Sequence, residues 1–158
     1  MPIPDDDPLL EEEDERDLAK RLFNLVWDLL DQPSRTADEN ELMMNAAHSS
    51  LYHWTRVGEP VNEARGEWQV SRVYSVLRRA EPALHHAKRS LALCEQHGIR
   101  DFDLAFAYEA LSRAHMVAGD AAEASRFAAI ARTAADRIED AEDRDIFLGD
   151  LADLPLSP

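Results

Sequence analysis

The side chains best suited to binding or catalysis are concentrated between residues 48 and 72. This segment holds imidazole, phenol, indole and guanidinium groups, a composition typical of ligand sites and of the anchor residues of protein interfaces. His48 and Tyr52 are four positions apart and therefore share one face of a helix. The candidate binding residues in this segment are His48, Tyr52, His53, Arg65, Trp68 and Arg72.

Two interpretations of this segment stay open on the sequence alone. If the two helices that carry it pack antiparallel, their faces meet in a groove, which would be a small-molecule or catalytic site built from His48, His53, Arg65 and Arg72. In the plainer interpretation, Trp54 and Trp68 are core anchors, while the histidines and arginines form hydrogen bonds at helix ends. Tryptophan often has this role, because its large apolar ring is buried and only its N–H needs a partner.

Known catalytic and metal-binding motifs are missing from the sequence. His48 and His53 are five residues apart, about 140° around a helix, which is poor geometry for holding one ion together. A single cysteine, Cys94, cannot form a thiolate metal site or an intrachain disulfide, and its apolar helix face predicts a small core residue. No phosphate-binding loop, His-Glu-x-x-His or nucleophile elbow occurs. The sequence therefore favours a non-enzymatic protein without a metal or cofactor.

The elements that must position these residues are helices. Apolar residues recur with helical spacing, and Thr36 with Glu39 forms a capping box at the start of the second helix. No stretch has the alternating pattern of a strand. We predict an acidic disordered tail over 1–7, one helical domain over 8–152 and a short tail over 153–158. The predicted helices cover 8–31, 37–57, 60–79, 82–98, 101–119, 121–139 and 144–151.

The third to sixth helices form a repeat with an offset of 41 residues. The spaced small residues of each second helix indicate that the two helices of a pair approach closely. A repeat of this length, made of two helices, is typical of stacked helical hairpins. The first copy contains Val70, Ser71, Tyr74, Ala83, Ala87 and Ser90, and the second contains Leu111, Ser112, His115, Ala124, Ala128 and Ala131.

Residues 60–138 resemble tetratricopeptide repeats, on the strength of Tyr108, Leu111, the Gly119–Asp120 turn and the spaced alanines that follow it. The period of that family is about 34 residues, the first copy here has Arg78–Arg79 in place of Gly-Asp, and no third copy aligns over the first two helices. The run from residue 47 to residue 115 also resembles bacterial helical proteins without an assigned activity. The resemblance implies an all-α fold in which antiparallel hairpins stack as a short right-handed superhelix.

Such an array implies a concave face that binds a partner protein or peptide. We expect this face on the first helix of each hairpin. Arg65 and Arg72 would bind carboxylates of the partner, and aromatic rings would supply buried area. Self-association through an apolar end of the array is the other partner prediction. The residues predicted for this face are Arg65, Trp68, Arg72, Tyr108 and His115, with His48 and Tyr52 at its edge.

Charge and hydropathy limit the partners and the location. The 158 residues carry a formal net charge of −15, which repels the phosphates of nucleic acids and of anionic membranes. Residues 65–100 are mildly basic by comparison. No signal peptide precedes the first helix, and no run approaches the roughly 20 apolar residues of a membrane span. We therefore predict a cytoplasmic protein with no nucleic-acid or membrane partner.

Overall fold

The computed structural model describes residues 10–154, which contain seven α-helices and no strand. The all-α prediction is confirmed over this range. The predicted helix start at Pro8, the predicted tail over 1–7 and most of the predicted tail over 153–158 lie outside the described residues. The helices are α1 (Glu12–Leu30), α2 (Ala37–Val57), α3 (Pro60–Val76), α4 (Ala80–His97), α5 (Asp101–Val117), α6 (Ala121–Ala135) and α7 (Ala141–Ala152).

The helices pair in chain order into three hairpins, α1–α2, α3–α4 and α5–α6, and α7 lies against the last hairpin. Short connections make the two helices of each hairpin antiparallel. The first helices of the hairpins are also neighbours, because α3 contacts both α1 and α5, and α5 contacts α7. The prediction of stacked helical hairpins is therefore confirmed, and α1, α3, α5 and α7 form one layer of the array.

Small buried residues form the seam within each hairpin, as the repeat predicted. Every seam residue is at most 2% exposed, and the spacing of four and then three positions is the same in all three hairpins. The first hairpin did not align with the other two in the sequence. The first position of its seam is a methionine, where the other two hairpins have alanine. The seams consist of Met43, Ala47 and Ser50 on α2, of Ala83, Ala87 and Ser90 on α4, and of Ala124, Ala128 and Ala131 on α6.

The second and third hairpins repeat one buried hydrogen bond. The Ser71 hydroxyl donates to the Ala83 carbonyl at 2.8 Å, and Ser112 donates to the Ala124 carbonyl at 2.7 Å. Each bond ties the first helix of a hairpin to the start of the second. Since both donor and acceptor recur with the same offset, the two hairpins have the same helix register and not only the same composition.

The turns of these two hairpins also match in backbone conformation. Gly119 has φ 79° and Arg78, at the equivalent position, has φ 59°. This left-handed region suits glycine and strains an arginine. It explains why α3 ends at Val76 and not near residue 79. α4 begins at Ala80, so that Pro82 lies in the first turn, where backbone N–H groups have no helical acceptor to lose.

The last two helix boundaries differ from the predicted ones because the chain turns between α6 and α7. α6 ends at Ala135 and not near residue 139, and Ile138 is fully buried beyond that end. Arg144 donates two hydrogen bonds to the Ile138 carbonyl, at 2.6 and 3.2 Å. α7 starts before residue 144 because the Asp140 side chain accepts a hydrogen bond from the N–H of Asp143 and caps the helix.

Candidate functional site

A groove opens on the layer formed by α1, α3, α5 and α7, and it is the candidate functional site. Its volume is about 470 Å³, within the range of sites that hold small molecules or several side chains of a peptide. Aromatic rings form its walls, and charged side chains lie at its margin. We name it the aromatic groove, and its principal lining residues are Phe23, Trp27, Arg65, Trp68, Phe102, Asp103, Phe106, Asp143, Ile146 and Asp150.

The aromatic rings of the groove form a continuous chain across the first three helices of the layer. Trp68 of α3 lies at its centre, 5.5 Å from Trp27 of α1 and 5.2 Å from Phe106 of α5, measured between ring centroids. Phe23 extends the chain on one side at 6.4 Å, and Phe102 extends it on the other at 4.6 Å. The Trp27–Trp68 pair is tilted, with 37° between the ring planes, and the other three pairs are edge-to-face, an arrangement that stabilises the rings beyond their burial. The wall is assembled from three different hairpins.

Charged residues at the margin are paired across the helices. Arg65 of α3 donates two hydrogen bonds to the Asp103 carboxylate of α5, at 2.7 and 3.0 Å. These bonds raise the pKa of the Arg65 guanidinium above its usual value, with a further contribution from the charges of Asp103 and Asp143. A two-point pair of this kind fixes the separation of α3 and α5 at the groove.

Arg72 lies about two turns beyond Arg65 on α3, in a cluster of charged side chains around the buried Glu109. Its guanidinium is 3.3 Å from the Glu109 carboxylate, which is fully buried, and 3.7 Å from the Asp150 carboxylate of α7. Arg113 also donates to Glu109, at 2.7 Å. Burial lowers the pKa of Arg72, and the charges of Glu109 and Asp150 partly oppose this. Two cations and two carboxylates therefore neutralise one another here.

The other two residues predicted for this face, Tyr108 and His115, do not line the aromatic groove. Tyr108 lies beside Cys94 of α4 and Ala134 of α6, on the opposite side of α5. His115 stacks on Phe127 of α6, with ring centroids 5.5 Å apart and planes within 9°. The helical period explains both placements relative to Phe106, which lines the groove. Tyr108 is two positions beyond Phe106, a turn of about 200°, and His115 is nine positions beyond it, a net turn of about 180°.

His48 and His53 of α2 face different neighbours. The His48 ring is 2.7 Å from the Tyr74 hydroxyl of α3 and 5.5 Å from the His86 ring of α4. Burial and the nearby His86 lower the pKa of His48. His53 lies 2.8 Å from Glu15 of α1, which also accepts a hydrogen bond from Arg56.

Tyr52 is 43% exposed on the outer surface of α2, beside His53. It does not adjoin the aromatic groove, although the sequence placed it at the edge of the binding face. The sequence-predicted site residues therefore fall into two sets. The structure brings Arg65, Trp68 and Arg72 together along α3, and it places the other five elsewhere.

The interface of α2 and α3 leaves no room for the groove that the sequence suggested between them. Gly66 of α3 contacts Leu51 of α2 so closely that an added Cβ would lie 2.8 Å from the leucine Cδ1. The four side chains considered for a site here, His48, His53, Arg65 and Arg72, consequently do not converge. The tryptophans of the segment, Trp54 and Trp68, are 7% and 9% exposed, as core anchors should be.

Sequence reasoning missed most of the groove because its residues are far apart in the chain. Phe23 and Trp27 are four positions apart, as are Phe102 and Phe106, so each pair shares a helix face. Aromatic residues on one face of successive first helices are the signal that would have identified the wall. Asp143 and Asp150 gave no comparable signal, since they belong to an acidic run typical of solvated surface.

The carboxylate–imidazole pairs of the described residues lie outside the groove. Glu67 and His86, 2.6 Å apart, form the closest carboxylate–imidazole pair, but they lie between α3 and α4 and not in the groove. Among residues 10–154, no group of three histidine, cysteine or acidic side chains is arranged to hold a metal ion. No helix in this range has the length and apolar character needed to cross a membrane.

Comparison with known proteins adds no family. The chain matches no protein-family model, no curated protein and no solved structure. The fold and the groove are therefore the observations on which a function can be proposed.

Proposed function

We propose that this protein is a non-enzymatic interaction module that holds a segment of a partner protein in the aromatic groove. The observation that carries the proposal is the continuous aromatic wall contributed by three hairpins, in which the central rings Trp68 and Phe106 are buried and the outer rings Phe23, Trp27 and Phe102 are half-buried. Aromatic anchors in a preformed groove are the usual source of affinity in peptide recognition. Location in the cytoplasm is part of the same proposal.

Exposed apolar surface on α7 supports this assignment. Ile146 is 53% exposed and lines the groove, whereas the neighbouring Phe147 is fully buried in the core. α7 therefore presents Ile146 to the groove, while Phe147 anchors the helix in the core. An occupant that covered Ile146 would remove apolar area from water at about 25 cal/mol per Å².

The resemblance to tetratricopeptide repeats is consistent with this use of the first-helix layer. The expected role of the arginines changes, however. Arg65 is paired with Asp103, and Arg72 with Glu109 and Asp150, so the charge of each guanidinium is already offset within the protein. In this proposal they position the helices, and the rings contact the partner.

A peptide selection with a matched pair of variants tests the proposal. Random peptides are selected on the wild-type chain, and their affinities are then measured by fluorescence anisotropy. Ile146→Asn replaces an apolar side chain of the groove by a neutral polar one at an exposed position, while Leu42→Asn makes a matching apolar-to-polar change at a position on α2 that is 46% exposed and outside the groove.

We expect Ile146→Asn to weaken peptide binding at least about ten-fold, the equivalent of about 1.4 kcal/mol, and Leu42→Asn to leave it unchanged. Circular dichroism confirms that both variants are folded. Peptides that bind the Ile146→Asn variant as tightly as the wild type, or a failure to select any peptide, would refute the proposal.

A further inference from the structure

We infer that the aromatic groove selects a cationic anchor, a lysine or arginine side chain flanked by apolar residues in the partner segment. The inference rests on the proposed function and adds the chemistry of the occupant. It follows from the charge at the groove margin, which is negative. The mildly basic stretch over residues 65–100 had suggested a positive margin.

The cations beside the groove are already neutralised. Arg65 donates hydrogen bonds from Nε and Nη2 to the two oxygens of the Asp103 carboxylate on α5. The cluster of Arg72, Arg113, Glu109 and Asp150 contains equal numbers of positive and negative groups. A carboxylate ligand could recruit Arg72 only by weakening its pair with the fully buried Glu109, which is strongly unfavourable, and the charge of the half-exposed Arg65 is already offset by Asp103.

One carboxylate of the margin is left over. Asp143 of α7 lines the groove and, among the described residues, forms no salt bridge within 4.0 Å; its charge acts on Arg65, whose hydrogen bonds toward α5 go to Asp103. The groove therefore carries a surplus of negative charge once the internal pairs are counted. A ligand cation that enters it gains an ion-pair partner without breaking an existing contact.

The aromatic wall favours the same charge. A cation over the face of an indole or phenyl ring is attracted by the negative face of the ring, by about 0.5–1 kcal/mol at exposed sites and more where water is excluded. Trp27 and Trp68 are adjacent at the centre of the wall. Lysine and arginine also carry apolar stems, which suit the remaining rings.

The charge of the whole chain acts in the same direction. A formal net charge of −15 attracts basic segments and repels acidic ones before contact is made. Long-range attraction and the local surplus at Asp143 therefore agree, and both are opposed to an acidic partner.

Three small probes of nearly equal size and different charge test the inference: 2-phenylethylammonium, 2-phenylethanol and phenylacetate. Binding is followed by tryptophan fluorescence and by the indole N–H signals in NMR, since Trp27 and Trp68 line the groove and Trp54 does not. We expect the ammonium probe to bind about three- to thirty-fold more tightly than the alcohol, of which one exposed cation–π contact supplies about two- to five-fold and the ion pair with Asp143 the rest, and phenylacetate to bind most weakly.

A matched pair of variants on α7 assigns the preference to the groove. Asp143→Asn should reduce the advantage of the ammonium probe over the alcohol to about that of the rings alone. Asp145→Asn removes the same charge two positions away, at an exposed residue that does not line the groove, and should leave the advantage unchanged.

Equal affinities for the three probes, a preference for phenylacetate, no binding of any probe, or equal effects of the two variants would each overturn the inference. Selected peptides enriched in aspartate and glutamate would do the same. The proposed function fails separately, because it depends on whether the neutral change Ile146→Asn weakens peptide binding, whatever the charge of the peptides.

Discussion

Replacing Glu67 by glutamine removes the charge of a carboxylate that is 4% exposed and joins the two helices of the second hairpin. One oxygen lies 2.6 Å from His86 Nδ1, and the other accepts a hydrogen bond from Arg89 Nε at 3.2 Å. A glutamine keeps the size of the side chain but has only one acceptor, and its NH₂ group meets a donor. We expect the variant to lose about 1–3 kcal/mol of unfolding free energy near neutral pH, the cost of leaving a buried polar group unsatisfied.

The loss should depend on pH with a defined sign. Burial alone would raise the pKa of Glu67, but its hydrogen bonds and charge interactions with His86 and Arg89 outweigh this and hold the pKa below the ordinary value of 4.5. The unfolded chain therefore takes up this proton at a higher pH than the folded chain does. The stabilisation by Glu67 is complete above the unfolded pKa and is lost as the pH falls through the folded pKa.

Urea unfolding followed by circular dichroism measures the difference between wild type and variant. It is compared at about pH 7.5 and about pH 3.5, on either side of the pI of 4.7, where solubility is lowest. A loss of 1 kcal/mol corresponds to about 2–4 °C in Tm for a chain of this size. Glu95→Gln, an exposed change on α4, is the control and should stay within about 0.5 kcal/mol. A Glu67→Gln effect that is below 0.5 kcal/mol at neutral pH, or that grows as the pH falls, would refute the role given to this carboxylate.

Three further predictions concern the repeat and the core, and denaturant unfolding and thiol labelling check them. Ser71→Ala and Ser112→Ala should each destabilise by about 0.5–1.5 kcal/mol, because each removes one buried hydrogen bond; clearly different losses would contradict the equivalence of the hairpins. Arg78→Gly should stabilise and Gly119→Ala should destabilise, each by about 1 kcal/mol, because both positions are left-handed; the opposite sign in either variant would contradict this. Cys94 is 1% exposed and burial raises its pKa to about 11, so it should react with a thiol reagent only in the unfolded chain, and rapid labelling of the native protein would contradict its placement.

The helices and their pairing were predictable from the sequence because they depend on local signals. Capping residues, glycine stops and the spaced alanines each act within a few positions, and together they gave seven helices and two of the three hairpins. The first hairpin was missed for a local reason too. Met43 occupies the seam position that alanine holds in the other hairpins, and it is nevertheless fully buried.

The groove was only partly predictable because it depends on which faces of α3 and α5 point toward each other. Arg65 and Trp68 were identified by their types and lie in it, but Tyr108 was placed on the same face and in fact lies across α5 from it. The error comes from counting helix positions without knowing the rotation of the helix, which only packing fixes. The close contact of Gly66 with Leu51 is one such packing constraint, and a lone glycine inside a helix did not reveal it.

The arginines show how structure can reverse a functional expectation while keeping the residues. Their side chains lie beside the groove as predicted, yet carboxylates from α5 and α7 satisfy them. Arg72 is 16% exposed and is held by the fully buried Glu109, so it is difficult to recruit for a ligand, because removing one partner of a buried pair costs about 3–5 kcal/mol, more than one new surface contact returns. Arg65 is 51% exposed, and its pair with Asp103 offsets its charge without burying it. The pairs therefore set the spacing of α3, α5 and α7, and so the width of the groove. Once these pairs are counted, the negative charge of Asp143 remains, and this is the charge that an incoming partner meets.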